Sequence, residues 1–247
     1  MNNTGLVSIS FRKLTPEEVI SAAANAGLKM IEWGSDVHAP RDQIDRLEEI
    51  VQLQKKYGVG CCSYGTYFYL GRDPVEQIPE YINAAKTLGT DTLRLWCGTK
   101  SPQEYTQEEK EALFADCRRA AKMAEEQGVT LCMECHIRTF TETKESALEL
   151  LAAVNSPAFR MYWQPNQFRS IEENVEYAKA LKDYIDHIHV FQWKGTDRFP
   201  LAEGVNEWKS YLKEIPGEHM LLLEFMPDNK VESLPAEAQA LYALKGE

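Results

Sequence analysis

Apolar runs of strand length alternate with amphipathic runs of helix length along this chain. Residues 5–11 (GLVSISF) form the first apolar run, and a helical pattern of apolar positions follows it as far as Gly27. The same order returns seven times, with apolar runs at 28–33, 59–64, 92–98, 129–136, 159–165, 185–193 and 219–225. Strand alternating with helix is typical of a parallel sheet. The pattern therefore predicts eight strand–helix units.

Capping residues mark the ends of the predicted helices. Thr15, Thr106 and Ser170 each precede a glutamate by three residues, which is the capping-box pattern of a helix start. Glycines that suit helix C-termini follow one another at intervals of 31, 31 and 39 residues, at Gly27, Gly58, Gly89 and Gly128. Later helices are predicted around 143–153, from Ser170 onward, and around 205–214 and 231–244.

The number of units and the length of the chain together indicate the fold class. A single (β/α)8 barrel takes about 250 residues, and this chain has 247. No Pro-, Gly- or Ser-rich linker divides it, so we expect an α/β fold in which residues 1–247 form one TIM-barrel domain. An open doubly wound sheet is the alternative, and it is weaker because no G-x-G-x-x-G follows the first strand.

Charge and composition bear on the partners that the protein can bind and on its location in the cell. The 27 Lys and Arg against 38 Asp and Glu leave a net charge of −11, which supplies no broad basic face for nucleic acid. No apolar run approaches the roughly 18 residues of a membrane span, and the N-terminus lacks the pattern of a secretory signal. We expect a cytoplasmic protein that binds neither nucleic acid nor membranes, and association into homo-oligomers stays open.

Cys132 and Cys135 have the C-x-x-C spacing of some metal and redox sites. They lie in the strand-like run 129–136, where residues three apart point to opposite faces. This alternation disfavours a zinc knuckle or a redox turn.

Polar residues stand at the ends of the apolar runs, where a TIM barrel places its functional groups. Glu134 and His136 end the fifth predicted strand, Gln164 the sixth and Glu224 the eighth, while His189 lies on the seventh. Glu32, Arg94 and Trp96 take similar positions on the second and fourth strands. A glutamate in such a run is also explained as half of a core ion pair, and for each one that interpretation stays open.

Three of these strand ends suggest a metal centre. A barrel brings Glu134, His189 and Glu224 around one axis, where they could hold one divalent cation, and Gln164 could add a neutral oxygen. Oxygen and nitrogen donors without a thiolate favour Mn²⁺ or Mg²⁺, with Zn²⁺ as the further option.

The arrangement resembles the xylose-isomerase-like barrel superfamily, which includes sugar phosphate isomerases/epimerases and endonuclease-IV-like proteins. The resemblance covers nearly the whole chain. Its pattern is a Glu ending strand 5, an Asp and, three residues later, a His on strand 6, a His on strand 7 and a Glu on strand 8. Glu134, His189 and Glu224 match, and residues 5–34 resemble the family's first unit, with its G-x-x-x-I-E strand. Gln164 and Gln167 replace the Asp and His of strand 6, so a bound 2+ ion would meet two carboxylates only, which should weaken metal binding.

The resemblance implies a metal-dependent sugar or sugar phosphate isomerase or epimerase. Its members abstract a proton next to a carbonyl through a metal-stabilised enediolate, and by resemblance Glu134 and Glu224 would be both metal ligands and the acid/base pair. The alternatives are a dehydratase acting on a keto-polyol or cyclitol, and a metal-free sugar-binding barrel. Abasic-site DNA cleavage is disfavoured, because it needs a three-metal cluster and this chain has only five histidines.

A small sugar-like substrate, which could be anionic, needs contacts around this centre. The candidate substrate-binding residues are those at or just after the predicted strand ends: His136, Arg138, Gln167, Trp96, Tyr64, Arg198 and His38. Arg138 is the preferred anion contact because it lies two residues past His136, and Arg94 is another cation expected at the mouth. Aromatic residues such as Trp96 and Tyr64 could stack on the apolar face of a sugar.

Overall fold

In the computed structural model, which describes residues 3–245, parallel strands close into an eight-stranded barrel surrounded by helices. The barrel strands are β1 (Thr4–Val7), β2 (Met30–Gly34), β3 (Gly60–Leu70), β4 (Thr92–Cys97), β5 (Thr130–Glu134), β6 (Phe159–Trp163), β7 (Ile185–Val190) and β8 (Met220–Leu223). The helices are α1 (Pro16–Asn25), α2 (Ile44–Tyr57), α3 (Ile78–Leu88), α4 (Gln107–Gln127), α5 (Lys144–Val154), α6 (Ile171–Leu181), α7 (Val205–Glu214) and α8 (Leu234–Lys245).

Each barrel strand pairs with the next one along the chain, and β8 returns to pair with β1. All of these pairings are parallel, and a helix follows every strand. The prediction of a single (β/α)8 barrel is therefore confirmed. No helix of residues 3–245 is long and apolar enough to cross a membrane.

The capping signals act where they were predicted. Thr15, Thr106 and Ser170 each form a complete capping box at the start of their helix. Gly58 and Gly128 end their helices in the left-handed conformation, with φ near 65°. Such backbone angles favour glycine because it has no Cβ.

Several strands differ in length from their apolar runs. β1 ends at Val7 because Ser8–Phe11 turns into a 3-10 helix, in which the Ser8 hydroxyl accepts a hydrogen bond from the Gly34 amide. β3 extends to Leu70 through a register shift between Gly65 and Tyr69. β7 ends at Val190, and the residues after it form a short hairpin of Trp193–Lys194 and Asp197–Arg198.

The apolar residues form two packed layers. The larger one lies between the barrel and its helices, and a smaller cluster that includes Tyr162 and Leu222 fills the barrel interior. Cys132 belongs to the interior cluster and Cys135 to the larger one, and both are buried free thiols. The predicted alternation of this pair is thus confirmed.

Removal of one helix cap should measure its contribution to the barrel. In Thr106→Ala the amide of Glu109 loses its acceptor at the start of the longest helix, α4. We expect the free energy of unfolding in urea to fall by about 1 kcal/mol. Lys122→Ala, at an exposed position of the same helix, is the control and should change it by less than about 0.5 kcal/mol. Equal effects of the two variants would contradict the assigned cap.

Candidate active site

A cavity of about 250 Å³ opens at the carboxyl ends of the barrel strands. Its polar wall includes Glu134, Gln164, Gln167, His136, Asn166 and Glu224. Its apolar wall includes Trp96, Tyr67, Trp193 and Phe225. This is the end of a TIM barrel that carries the active site in characterised enzymes of this fold.

Glu134 and Glu224 line the cavity, and both approach His189, which is buried behind its wall. One donor atom from each lies within 4.8 Å of the others, and all three side chains are buried. Glu134 is the last residue of β5, His189 lies on β7, and Glu224 directly follows β8. The predicted convergence of these strand ends is therefore present in the barrel.

The two ring nitrogens of His189 face different groups. Nδ1 lies 3.6 Å from a carboxylate oxygen of Glu134, 3.6 Å from one of Glu224 and 3.3 Å from Oε1 of Gln164. Nε2 lies on the other side of the ring, 3.4 Å from Oε2 of Glu32. The imidazole thus stands between a group of three oxygen-bearing side chains and a separate carboxylate.

Arg94 lines the buried part of the cavity. The expectation from the sequence, a cation at the mouth, is therefore wrong for this residue. Its side chain is only 2% exposed, Nε donates to Glu32 at 2.8 Å, and Nη1 donates to Glu134. β4 places it inside the barrel between β2 and β5, where two carboxylates neutralise it. Glu134 therefore forms the core ion pair that the sequence left open as an interpretation. It also lies beside His189, so the two interpretations do not exclude each other.

This charge cluster separates the pKa values of the two cavity glutamates. Burial opposes ionisation of Glu134, but the charge of Arg94 outweighs it and lowers the pKa of Glu134 to about 2. Burial raises the pKa of Glu224, and the nearby charge of Glu134 adds to the rise despite an opposing effect of His189. Burial by itself would lower the pKa of His189, yet Glu224 and Glu32 raise it to about 10. Neighbouring carboxylates with divergent pKa values are typical of acid–base sites.

The donor set fits a divalent metal ion. Ions of this kind sit about 2.0–2.6 Å from their ligands, so ligand atoms on opposite sides lie about 4–5 Å apart. The donor atoms of Glu134, His189 and Glu224 lie within that limit, 3.6 Å from Nδ1 to each glutamate, and the amide oxygen of Gln164 lies 3.3 Å from Nδ1. Two carboxylates, an imidazole and an amide oxygen suit Mn²⁺, Mg²⁺ or Zn²⁺.

The aromatic wall is held by an unusual backbone. Tyr67 and Phe225 have φ near 55° and 57°, which is costly for a bulky residue and is found at functional sites. The Phe225 amide donates to the Ser10 hydroxyl at 2.9 Å, and the Tyr67 hydroxyl accepts from Arg12 at 2.9 Å. Trp96 packs between Tyr67 and His136, with ring centroids 5.1 and 5.7 Å away.

Five of the seven predicted substrate-binding residues lie in or next to the cavity. His136, Gln167 and Trp96 line the cavity. Arg138 is exposed and lines an adjoining open pocket that shares His136, while Arg198 packs over the rings of Trp193 and Phe225.

The structure does not place His38 or Tyr64 on the cavity wall. His38 is buried, with its ring nitrogens 3.1 Å from the Ser8 hydroxyl and the Leu14 carbonyl. The Tyr64 hydroxyl donates to the Ala39 carbonyl at 2.7 Å, inside the core between barrel and helices. Both polar groups therefore support loops within the protein.

Sequence reasoning missed two polar residues of the cavity wall, Glu142 and Tyr177. Glu142 lies in the loop before α5 and accepts from the backbone amide of Arg138 at 2.9 Å. Tyr177 comes from α6, and its hydroxyl donates to the Thr141 carbonyl. Neither residue stands at a strand end, so the strand pattern carries no signal for them.

Comparison with known proteins gives both a family and a fold. A family model described as "Xylose isomerase-like TIM barrel" matches residues 20–244. The 3-dehydroshikimate dehydratase of Bacillus anthracis is 24% identical over 173 residues, which make up 62% of this chain and 62% of that protein. The chain thus matches less than two thirds of the length of this curated relative.

Solved structures share the whole barrel. One of them is the probable 3-DHS dehydratase AsbF of Bacillus anthracis, which is involved in petrobactin synthesis. It superposes with a TM-score of 0.83 at 20% identity, and the match covers 98% of this chain and 99% of that chain. L-ribulose 3-epimerase has a TM-score of 0.75 at 17% identity, with 99% and 94% covered. The IOLI protein, which has a bound zinc atom, has a TM-score of 0.75 at 17% identity, with 98% and 96% covered. At these identities the likeness shows the fold alone.

The role of Arg94 in the charge cluster can be tested by its removal. Arg94→Met leaves Glu32 and Glu134 buried without their cation, and we expect a loss of about 3–5 kcal/mol in the free energy of unfolding. Arg12→Met breaks a half-exposed pair with Asp36 and should cost about 1 kcal/mol or less. Urea unfolding followed by circular dichroism measures both. A loss in Arg94→Met no larger than in Arg12→Met would refute the assigned role.

Proposed function

The chain belongs to the xylose isomerase-like TIM barrel family, and we propose that it is a metal-dependent isomerase or epimerase of a small sugar. One observation carries this proposal: Glu134 and Glu224 face the same cavity, and their surroundings drive their pKa values apart. Proton transfer at a carbon next to a carbonyl needs such a pair of groups within reach of the substrate. The proposal places the protein in carbohydrate metabolism.

The two glutamates have different parts in the proposed reaction. Without the ion Glu224 has the higher pKa of the two, so it is the group proposed to take the proton from the carbon. Glu134 is its proposed partner in returning a proton. Arg94 binds Oε2 and keeps Glu134 ionised at rest, so the returned proton first reaches the other oxygen, which faces the site, from solvent, and Glu224 releases the proton it has taken to solvent. A divalent ion bound by Glu134, Gln164, His189 and Glu224 would draw electron density from the substrate carbonyl and make the neighbouring C–H more acidic.

The cavity supports a small, polyhydroxylated substrate without a charge at the reacting centre. Its volume of about 250 Å³ suits one sugar-sized molecule, and Trp96 and Trp193 offer aromatic faces for stacking. The two arginines of its wall already have carboxylate partners: Arg94 pairs with Glu32 and Glu134, and Arg12 pairs with Asp36. His136 and Gln167 are the proposed contacts of the sugar hydroxyls.

A dehydratase is the second candidate, and the match to a 3-dehydroshikimate dehydratase favours it. Loss of water next to a carbonyl begins with the same proton abstraction, so Glu224 would have the same part. The candidates differ in the second step of the reaction: an epimerase or isomerase returns the proton, whereas a dehydratase expels a hydroxyl group.

Deuterium exchange separates these reactions. We propose to incubate the Mn²⁺-loaded protein with ketopentoses, ketohexoses and 3-dehydroshikimate in D₂O, and to follow the mixtures by ¹H NMR and mass spectrometry. A rearranged or epimeric sugar with one deuterium at the reacting carbon supports the proposal. Loss of the mass of one water supports the dehydratase instead.

Glu224→Gln tests the base directly. We expect turnover to fall by about 100- to 10,000-fold, with the thermal unfolding transition nearly unchanged. Glu237→Gln is the matched control, because it changes a buried glutamate of α8 that accepts from the Leu201 amide, away from the cavity. Full activity of Glu224→Gln would remove Glu224 from the proposed chemistry.

Gln164→Asp tests the fourth metal ligand. An added carboxylate beside His189 should tighten Mn²⁺ binding, since it adds a negative charge to the ligand set. Titration calorimetry measures the affinity, and Gln167→Glu is the control that adds the same charge elsewhere on the cavity wall. Unchanged affinity in Gln164→Asp would show that Gln164 is not a ligand.

A further inference from the structure

Four buried side chains form a connected group that begins in the cavity wall, with Arg94 and Glu134, and continues behind it, with Glu32 and His189. Oε1 of Glu32 accepts from Nε of Arg94 at 2.8 Å, and Oε2 of Glu32 lies 3.4 Å from Nε2 of His189. Arg94 also donates to Oε2 of Glu134, whose Oε1 lies 3.6 Å from Nδ1 of His189. Each oxygen of the two glutamates thus has its own partner. The Ser63 hydroxyl adds a further hydrogen bond to Glu32 at 3.2 Å.

The barrel makes room for this group at one glycine. Gly65 lies on β3, between the strands that carry Glu32 and Arg94. A Cβ at this position would lie 2.7 Å from Nη2 of Arg94 and 2.9 Å from Oε1 of Glu32. The ion pair therefore passes across β3 only because residue 65 has no side chain.

We propose that Glu32 and Arg94 are positioning residues, which fix His189 and Glu134 so that Nδ1 of the imidazole and one chosen carboxylate oxygen face the metal-binding position. This inference rests on the proposed function. Neither residue needs to touch the substrate or the ion. They act through the two ligands with which they form hydrogen bonds.

The imidazole supports this assignment because it can present only one nitrogen to an ion. When an ion takes the place of the Nδ1 proton, the ring keeps its other proton on Nε2, where a carboxylate accepts it, and such outer partners orient metal-binding histidines in many proteins. Nδ1 is also the nitrogen that faces Glu134, Glu224 and Gln164. The ring orientation and the ligand set therefore agree.

The charges of the group agree with the neutral residue at position 164. Glu32, Glu134 and Glu224 supply three negative charges, and Arg94 with a 2+ ion would supply three positive ones. A fourth carboxylate would leave a buried excess of negative charge, which is costly. The amide of Gln164 thus leaves the group without net charge once a 2+ ion is bound, since the charges of Glu32 and Arg94 cancel.

The first experiment reads the imidazole in the metal-free protein by ¹H–¹⁵N NMR with labelled histidine. We expect a downfield, slowly exchanging Nε2 proton on His189 that moves upfield in Glu32→Gln, because the carboxylate acceptor is lost. Asp186→Asn is the matched control: it removes a carboxylate 2.8 Å from Nδ1 of His187 on the same strand and should leave the His189 signal unchanged. An identical His189 signal in Glu32→Gln would overturn the proposal.

The second experiment measures Mn²⁺ affinity by calorimetry in the same proteins. Glu32→Gln should bind about 10- to 100-fold more weakly than the wild type, and Asp186→Asn should bind equally well. Gly65→Ala keeps every charge but displaces the pair, so it should weaken Mn²⁺ in the same direction and serves if Glu32→Gln does not fold. Wild-type affinity in a folded Glu32→Gln variant, or in Gly65→Ala where Glu32→Gln does not fold, would refute the positioning role.

The two proposals fail in different ways. A wild-type protein that binds no divalent ion defeats the metal-dependent function, while the His189 proton signal still decides whether Glu32 positions the ring. A wild-type protein that binds Mn²⁺ and whose Glu32→Gln variant binds it equally well defeats the positioning role alone.

Discussion

The candidate site depends on one buried cation. Arg94 lies inside the barrel with 2% of its side chain exposed, and a guanidinium there is tolerable only with carboxylates beside it. Glu32 and Glu134 meet that need, so charge joins β4 both to its neighbour β5 and to β2, which is separated from it by β3. The same contacts set the ionisation of Glu134. A requirement of folding and a requirement of the proposed chemistry therefore fall on the same residues.

The strand pattern was sufficient to predict the centre of this site. In a parallel barrel, alternate residues point inward and all strands end at the same rim. The place of a residue along its strand therefore predicts where it lies in the barrel. Glu134, His189 and Glu224 stand at or next to the ends of three apolar runs, and their convergence required only that the barrel close. The starts of three helices could also be predicted from the sequence, because the capping boxes at Thr15, Thr106 and Ser170 depend on residues only three positions apart.

The positions of the loop side chains could not be predicted from the strand pattern, because local backbone angles decide where these side chains point. Arg138 has a φ near 58°, and this turn lets its amide bind Glu142 while its side chain lies over an adjoining pocket. His38 follows β2 closely in sequence, but the 3-10 turn after β1 brings the Ser8 hydroxyl to it and the ring is buried. The partner choice of Arg94 was hidden for another reason: it joins strands 62 and 40 residues away, and no short-range pattern reports such a pairing.

Charge balance at the base of the cavity limits the substrates that either candidate reaction can accept. With a 2+ ion, the group of Glu32, Glu134, Glu224 and Arg94 has no net charge, so an anionic group placed there would be buried without compensation. A phosphate or carboxylate on the substrate would instead have to point outward. Arg138 lines the adjoining pocket, and Arg198 packs over Trp193 and Phe225 of the cavity wall. The reacting carbonyl and the charged end of such a substrate would then occupy different parts of the site, the first set by the barrel strands and the second by the loops.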